Sequence, residues 1–226
     1  MVQLNWDATG ARKYEKGVDR GVLYVLNPTT GLYKPGVVWN GLTNVTESPT
    51  GAEATPQYAD NMKYLNLVSQ EDFAFTIEAF TYPDEFEVCE GNIAVGEAPK
   101  GAYITGQDRA TFAFSYRTLL ANDTNPNAGY KIHVVWGALA APTEKSRDTV
   151  NESPEAATFS WECTTTPVAV TAVANARPTA HMFVDSTKIS AAILADVESA
   201  LYGTSSPGAD AEVPTPDELI GILAGA

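Results

Sequence analysis

Four stretches of this chain place an apolar side chain at every second position. In Asp72–Glu78, Phe73, Phe75 and Ile77 alternate with Asp72, Thr76 and Glu78. Phe112, Phe114 and Tyr116 repeat the pattern, as do Tyr130, Ile132, Val134 and Trp136 against Lys131, His133 and Val135. Phe159, Trp161 and Cys163 alternate with Ser160, Glu162 and Thr164. A period of two is that of a β-strand, whose successive side chains point to opposite faces. One apolar and one polar face describe antiparallel strands packed on a core from one side. Further strands are expected at 21–26, 37–45, 168–173 and 180–184. Turn-forming residues separate the runs, and 122–129 reads as a long hairpin loop between two strong strands.

The period changes near the C-terminus. Ile189, Ile193, Val197 and Leu201 recur every fourth residue, with Ala192 and Ala200 beside them, which predicts an amphipathic helix. Ser190 or Thr187 is placed to cap its start and Gly203 to end it. Thr215 and Glu218 then form a capping box around Pro216, which opens a second, short helix. The chain therefore divides into residues 1–203, a mainly β unit with a flanking α-helix, and 204–226, a linker and C-terminal arm with a short helix. Leu219, Ile220, Ile222 and Leu223 are apolar and require cover, from this chain or from a neighbour. One other segment has no periodicity of its own: 46–58 reads as a long polar loop, of the length that usually carries function.

Composition narrows the function classes. The 226 residues include 28 acidic against 14 basic ones, a formal net charge of −14, with no basic cluster larger than Arg12, Lys13 and Lys16. Gripping nucleic acid requires clustered cations, so specific binding is not expected. The N-terminal residues are too polar for a signal peptide, and no apolar run is long enough to span a bilayer. The sequons at Asn44, Asn122 and Asn151 are then chance matches. Cys89 and Cys163 read as buried thiols, and His133 and His181 as structural residues in strands. These four lack the close pairing that marks a zinc site, and the loop 122–129, with its spaced Asp and Asn residues, lacks the downstream glutamate that completes a calcium loop. Asp84, Glu85 and Glu87 read as a solvated turn. There is no phosphate loop and no nucleophile elbow. The expectation is a protein without enzymatic activity or cofactor. Trp39 and Tyr64 leave a sugar-binding β-sandwich open, although burial in the core is the simpler explanation of both.

The segment Trp39-Asn40-Gly41-Leu42-Thr43-Asn44-Val45-Thr46-Glu47-Ser48-Pro49, continuing through Glu53–Asn61, Lys63-Tyr64, Glu78–Phe86 and Cys89-Glu90-Gly91, resembles the major tail (tail tube) proteins of long, non-contractile-tailed phages. The stretch from Asp185 through the helix to Gly203, and that from Pro214 to Leu219, resemble the late helix and C-terminal end of that family. The resemblance implies a β-sandwich or partial barrel flanked by a helix, six copies closing into a ring, and rings stacking into a tube. The tube encloses a tape-measure protein, meets tail tip and terminator proteins, and passes DNA through its lumen. It further implies assembly in the bacterial cytoplasm and residence in the virion.

Within that expectation, Asp72 and Glu78 are candidates to face the lumen, where carboxylates would repel phosphates; facing outer solvent is the alternative. Glu47, Glu53 and Tyr58 are candidates for an inter-ring loop. Leu219, Ile220, Ile222 and Leu223 are candidates for a C-terminal arm on a neighbour. A decoration or tail-completion protein, and a carbohydrate-binding module, are the rival readings.

Overall fold

The computed structural model describes residues 4, 6–96, 101–147, 149, 156–205 and 208–225. Strand β1 (Lys13–Val25) is followed by β2 (Val37–Trp39) and β3 (Leu42–Glu47). A ribbon of short strands comes next: β4 (Thr50–Gly51), β5 (Ala54–Ala59), β6 (Met62–Val68) and β7 (Glu71–Asp72), leading into β8 (Ala74–Ala79). Helical turn α1 (Glu87–Glu90) and the small pair β9 (Ile93–Ala94) and β10 (Tyr103–Ile104) precede the long strands β11 (Phe112–Asn122) and β12 (Gly129–Ala140). Strands β13 (Phe159–Thr165) and β14 (His181–Asp185) follow, then helix α2 (Ala191–Tyr202), the pair β15 (Thr204–Ser205) and β16 (Gly208–Ala209), and helix α3 (Pro216–Ala224). The fold is mainly β with two helices on one side.

The main sheet runs β2-β1-β11-β12-β13-β8-β3, antiparallel throughout, with β14 also paired to β12. Strand β12 forks. Its first half pairs with β14 through Lys131–Val135 and its second half with β13 through Ala138–Ala140. Gly137 lies at the fork with φ of 62°. A Cβ there would sit 2.3 Å from the Thr166 carbonyl oxygen, so only glycine fits. This extra residue also reverses the strand's parity. Before it, Ile132, Val134 and Trp136 face the helices; after it, Ala138 and Ala140 join Val135 in the other core.

The sheet curls until β3 lies against β1, with Gly21 packed on Leu42. Inside the curl, Trp39, Phe75, Ile77, Phe86, Phe112, Phe114 and Trp161 form an aromatic core, the Trp39 ring 4.6 Å from Phe86 and 5.4 Å from Trp161. Outside it, Val22, Tyr24, Ile132, Val134 and Trp136 are covered by Val197 and Leu201 of α2 and Leu219 of α3. Central strands are therefore buried on both faces. The half-exposed alternation survives on β8 and β13, where Thr76, Glu78, Ser160 and Glu162 face outward.

Both helices start where their caps place them. The Ser190 hydroxyl accepts from the Ile193 amide, and Thr215 and Glu218 make both bonds of the capping box. Gly203 follows α2 with φ of 73°.

Several sequence expectations are corrected. Residues 168–173 form no strand; only the isolated bridge Val168–Thr179 is present, and the β-favouring Val168, Val170, Thr171 and Val173 cannot hold a strand that lacks a partner ladder. Residues 46–58 are not a loop but the outgoing side of a ribbon. Residues 208–225 do not form a free arm: Leu219 is fully buried, Ile222 and Leu223 pack beside it, and the Trp136 indole donates to the Pro214 carbonyl at 2.8 Å. The apolar stripe of α3 finds its cover on the chain's own sheet. Asp72 and Glu78 are not on one strand either, because Phe73 separates β7 from β8. The sequon at 151–153 lies outside the described residues, and among those described no helix is long and apolar enough to cross a membrane.

Candidate functional site

From Leu42 to Ala79 the chain forms a single interrupted antiparallel ribbon. Its root is β3 paired with β8 in the main sheet, as in Glu47 opposite Phe75. It continues as Thr50 opposite Asp72 and ends as β5 paired with β6. The tip is the two-residue turn Asp60-Asn61, with φ of 50° and 59°. Positive φ at both positions is the hairpin turn whose twist matches the strands, and Asp and Asn tolerate it better than most residues. Twelve residues, 48–59, lead outward, so at about 3.3 Å each the arm reaches up to about 40 Å from the sheet.

Every residue of β5 and β6 is exposed. Tyr58, Met62, Tyr64, Leu67 and Val68 are 58–71% exposed. The pairing register shifts by one residue at Tyr64, so Tyr58 and Val68 lie on one face of the arm and Met62, Leu65 and Leu67 on the other. A two-stranded ribbon is marginally stable alone in water. An arm with apolar groups on both faces and no core of its own is built to be covered from both sides. Pro56 lies in β5, and proline is confined to edge strands and bulges.

Candidate residues fall in three places. Tyr58 is at the arm's outer end and Glu53 is exposed midway, where its carbonyl accepts from the Ser69 amide. Asp72 is exposed at the arm's base; Glu78 faces outward on β8 and accepts from the Asn44 amide group at 3.4 Å. Glu47 is not on a loop. It ends β3 and faces a polar cluster.

That cluster fills the angle between the arm and the fork of β12. The Tyr116 hydroxyl donates to Glu47 Oε1 at 2.7 Å. His133 Nδ1 lies 3.3 Å from the same oxygen and 3.2 Å from His181 Nε2, and His181 Nε2 is 4.0 Å from the oxygen. Thr118 Oγ1 and His133 Nε2 are 3.1 Å apart. The Tyr116 ring stacks on His133 and the Phe73 ring on His181, each at 4.6 Å. The hydrogen bond to His133, then that from Tyr116, holds the Glu47 carboxyl down to about 2. Burial pushes His181 down to about 4 and Tyr116 upward. Sequence reading takes both histidines as separate structural residues, 48 positions apart. Their convergence depends on β14 pairing with β12, which no local spacing encodes.

A second buried polar group also escapes the sequence. Glu90 of α1 pairs with Lys145 at 2.6 Å and accepts from the Trp161 indole. Asp84 and Glu85 are exposed, as a solvated turn requires, while Glu87 accepts from Tyr82 and Asn92. Cys89 and Cys163 are free thiols in one core, and burial pushes Cys89 up to about 12. Trp39 is buried, its indole donating to the Thr81 carbonyl at 2.9 Å, so it offers no face to a sugar; Tyr64, on the arm, does have an exposed ring.

Compared with known proteins, the sequence matches no family model and no curated relative.

Proposed function

We propose that this chain is the subunit of a phage tail tube, assembling head-to-tail into stacked rings, with the six subunits per ring that its resemblance to tail tube proteins implies. The observation that carries the reading is the arm 48–72, which exposes apolar side chains on both faces and buries none of β5 or β6 in its own chain. Identical head-to-tail contacts produce closed rings or open filaments, and a stacked tube uses both. A second copy of the chain is the natural cover: one face of the arm against the ring it belongs to, the other against the next. Glu53 and Tyr58 then lie at the ring junction. The tape-measure protein occupies the lumen during assembly, and tail tip and terminator proteins bound the tube.

The net charge of −14 suits a conduit, since an acidic wall repels phosphate and lets DNA move without specific binding. We assign the polar outer face of β8 and β13, with Glu78 and Glu162, to that wall; Asp72, at the arm's base, lies beside it in this arrangement.

Negative-stain electron microscopy of the purified chain over a range of concentrations tests the assembly. Hollow tubes or stacked rings are expected, and the double substitution Tyr64→Asp and Leu67→Asp is expected to abolish them. A fixed small oligomer would point instead to a decoration or completion protein. Monomers at every concentration, for the native chain and the variant alike, overturn the reading.

A further inference from the structure

We propose that Glu47, His133 and His181 form a binding site for a single divalent zinc-like cation that clamps the base of the arm to the sheet. Among the described residues these are the one group of three or more potential ligands whose donor atoms converge, all within 4.8 Å of one another. The inference stands apart from the tube reading and holds or fails without it.

The geometry is that of a coordination sphere. His133 Nδ1, His181 Nε2 and Glu47 Oε1 form a triangle with edges of 3.2, 3.3 and 4.0 Å, and the point equidistant from all three lies inside it, about 2.1 Å from each. That is the zinc–nitrogen and zinc–oxygen distance. Closing the longest edge by roughly half an ångström gives tetrahedral spacing, with a water as fourth ligand. Two imidazoles and one carboxylate suit a borderline cation such as zinc and disfavour calcium or magnesium, which take oxygen donors.

The surroundings are those of a supported site. A metal-bound imidazole commonly donates its other ring N–H to a fixed acceptor. Thr118 Oγ1, 3.1 Å from His133 Nε2, is placed to accept it, which leaves Nδ1 free to coordinate. The Tyr116 hydroxyl orients the Glu47 carboxylate, and the Tyr116 and Phe73 rings fix the two imidazole planes. A cleft of about 310 Å³, lined by Glu71, Phe73, Arg177, Thr179 and His181, reaches the cluster from outside. The three ligands come from β3, β12 and β14. A cation would therefore join the arm's outgoing strand to the paired strands β12 and β14, while Phe73 of the returning strand stacks on one ligand.

The test uses the full chain, without an affinity tag, stripped with chelator and titrated with zinc(II) alone. Isothermal titration is expected to give one zinc per chain. A hundredfold excess over Kd is expected to raise Tm by about 5–10 °C. Cobalt(II) is expected to give the visible bands of a tetrahedral site. His181→Gln and, independently, Glu47→Gln should each weaken binding at least tenfold and remove the zinc-dependent Tm rise, while Cys89→Ala leaves both unchanged. The chain's two histidines are both in the cluster, so no other imidazole can supply the signal. A native chain that takes up no zinc, or variants that bind as tightly as it does, would overturn the proposal and leave a hydrogen-bonded polar cluster.

Discussion

Two residues carry more of this fold than their size suggests. Gly137 holds φ at 62° with the Thr166 carbonyl 2.3 Å from where a Cβ would lie, and its extra residue sends the two halves of β12 to different partners. Gly137→Ala combines left-handed strain with a backbone clash, so we expect a loss of about 2–4 kcal/mol in urea unfolding. Glu90 is the second. It is 9% exposed and satisfies both the Lys145 ammonium and the Trp161 indole. A buried pair contributes little relative to an apolar replacement, but removing one partner strands the other. Glu90→Ala should cost about 3–5 kcal/mol. Joint Glu90→Leu and Lys145→Met should recover part of that loss, as a double-mutant cycle would measure. Neither role is legible locally. Gly137 reads as a break in a strand, and Glu90 as one more surface acid, until β12 and β13 are brought together.

At the level of elements, legibility followed the range of the interactions. The helices are readable in their caps and in part of their stripe because both are local: Ser190, Thr215, Pro216 and Glu218 cap as their spacing requires, and Val197 and Leu201 are buried. Ile189, however, precedes the helix, Ala192 is exposed, and Leu194 packs against the core in place of Ile193. Strands β8, β11, β12 and β13 were readable from period two. The ribbon 48–72 was not, because its turn is Asp-Asn rather than the stronger Asp-Gly signal, and its apolar residues, on both faces, give no alternation. Docking of α3 was equally hidden, since a capping box predicts a helix but not its partner. Thr215→Ala should cost about 1 kcal/mol through the lost cap. The same helix is tethered by Asp217, whose carboxylate accepts from the Thr171 hydroxyl and from the Thr171 and Ala172 amides. The Thr171 side chain, then the two amides, holds the Asp217 carboxyl below its ordinary 3.8. A lowered folded value means the tether is complete above that ordinary value and lost as pH falls through the lowered one. The Thr171 and Ala172 amide resonances should therefore titrate together with a midpoint below 3.8, and Asp217→Asn should abolish that transition.

Across the whole molecule, stability and assembly are assigned to different surfaces. The two cores lie inside the curled sheet and beneath the helices, and neither includes a residue of β5 or β6. Arm substitutions should therefore leave the isolated subunit almost untouched, since exposed positions away from packing typically change stability by less than about 0.5 kcal/mol. Assembly should respond in the opposite way. A polar or charged group at Tyr64 or Leu67 replaces an apolar contact in each copy, and the contact repeats at every junction of a tube. Even about 1.4 kcal/mol per junction is a tenfold change in each association step. The Tyr64→Asp and Leu67→Asp chain should unfold in urea at the native midpoint, yet sediment as a monomer at concentrations where the native chain forms polymer. Core substitution Leu219→Ala should do the reverse, losing about 2–5 kcal/mol of stability while its folded fraction still polymerises. If the arm variant lost stability in step with assembly, the arm would belong to the subunit's own core, and the separation of surfaces argued from its exposure would fail.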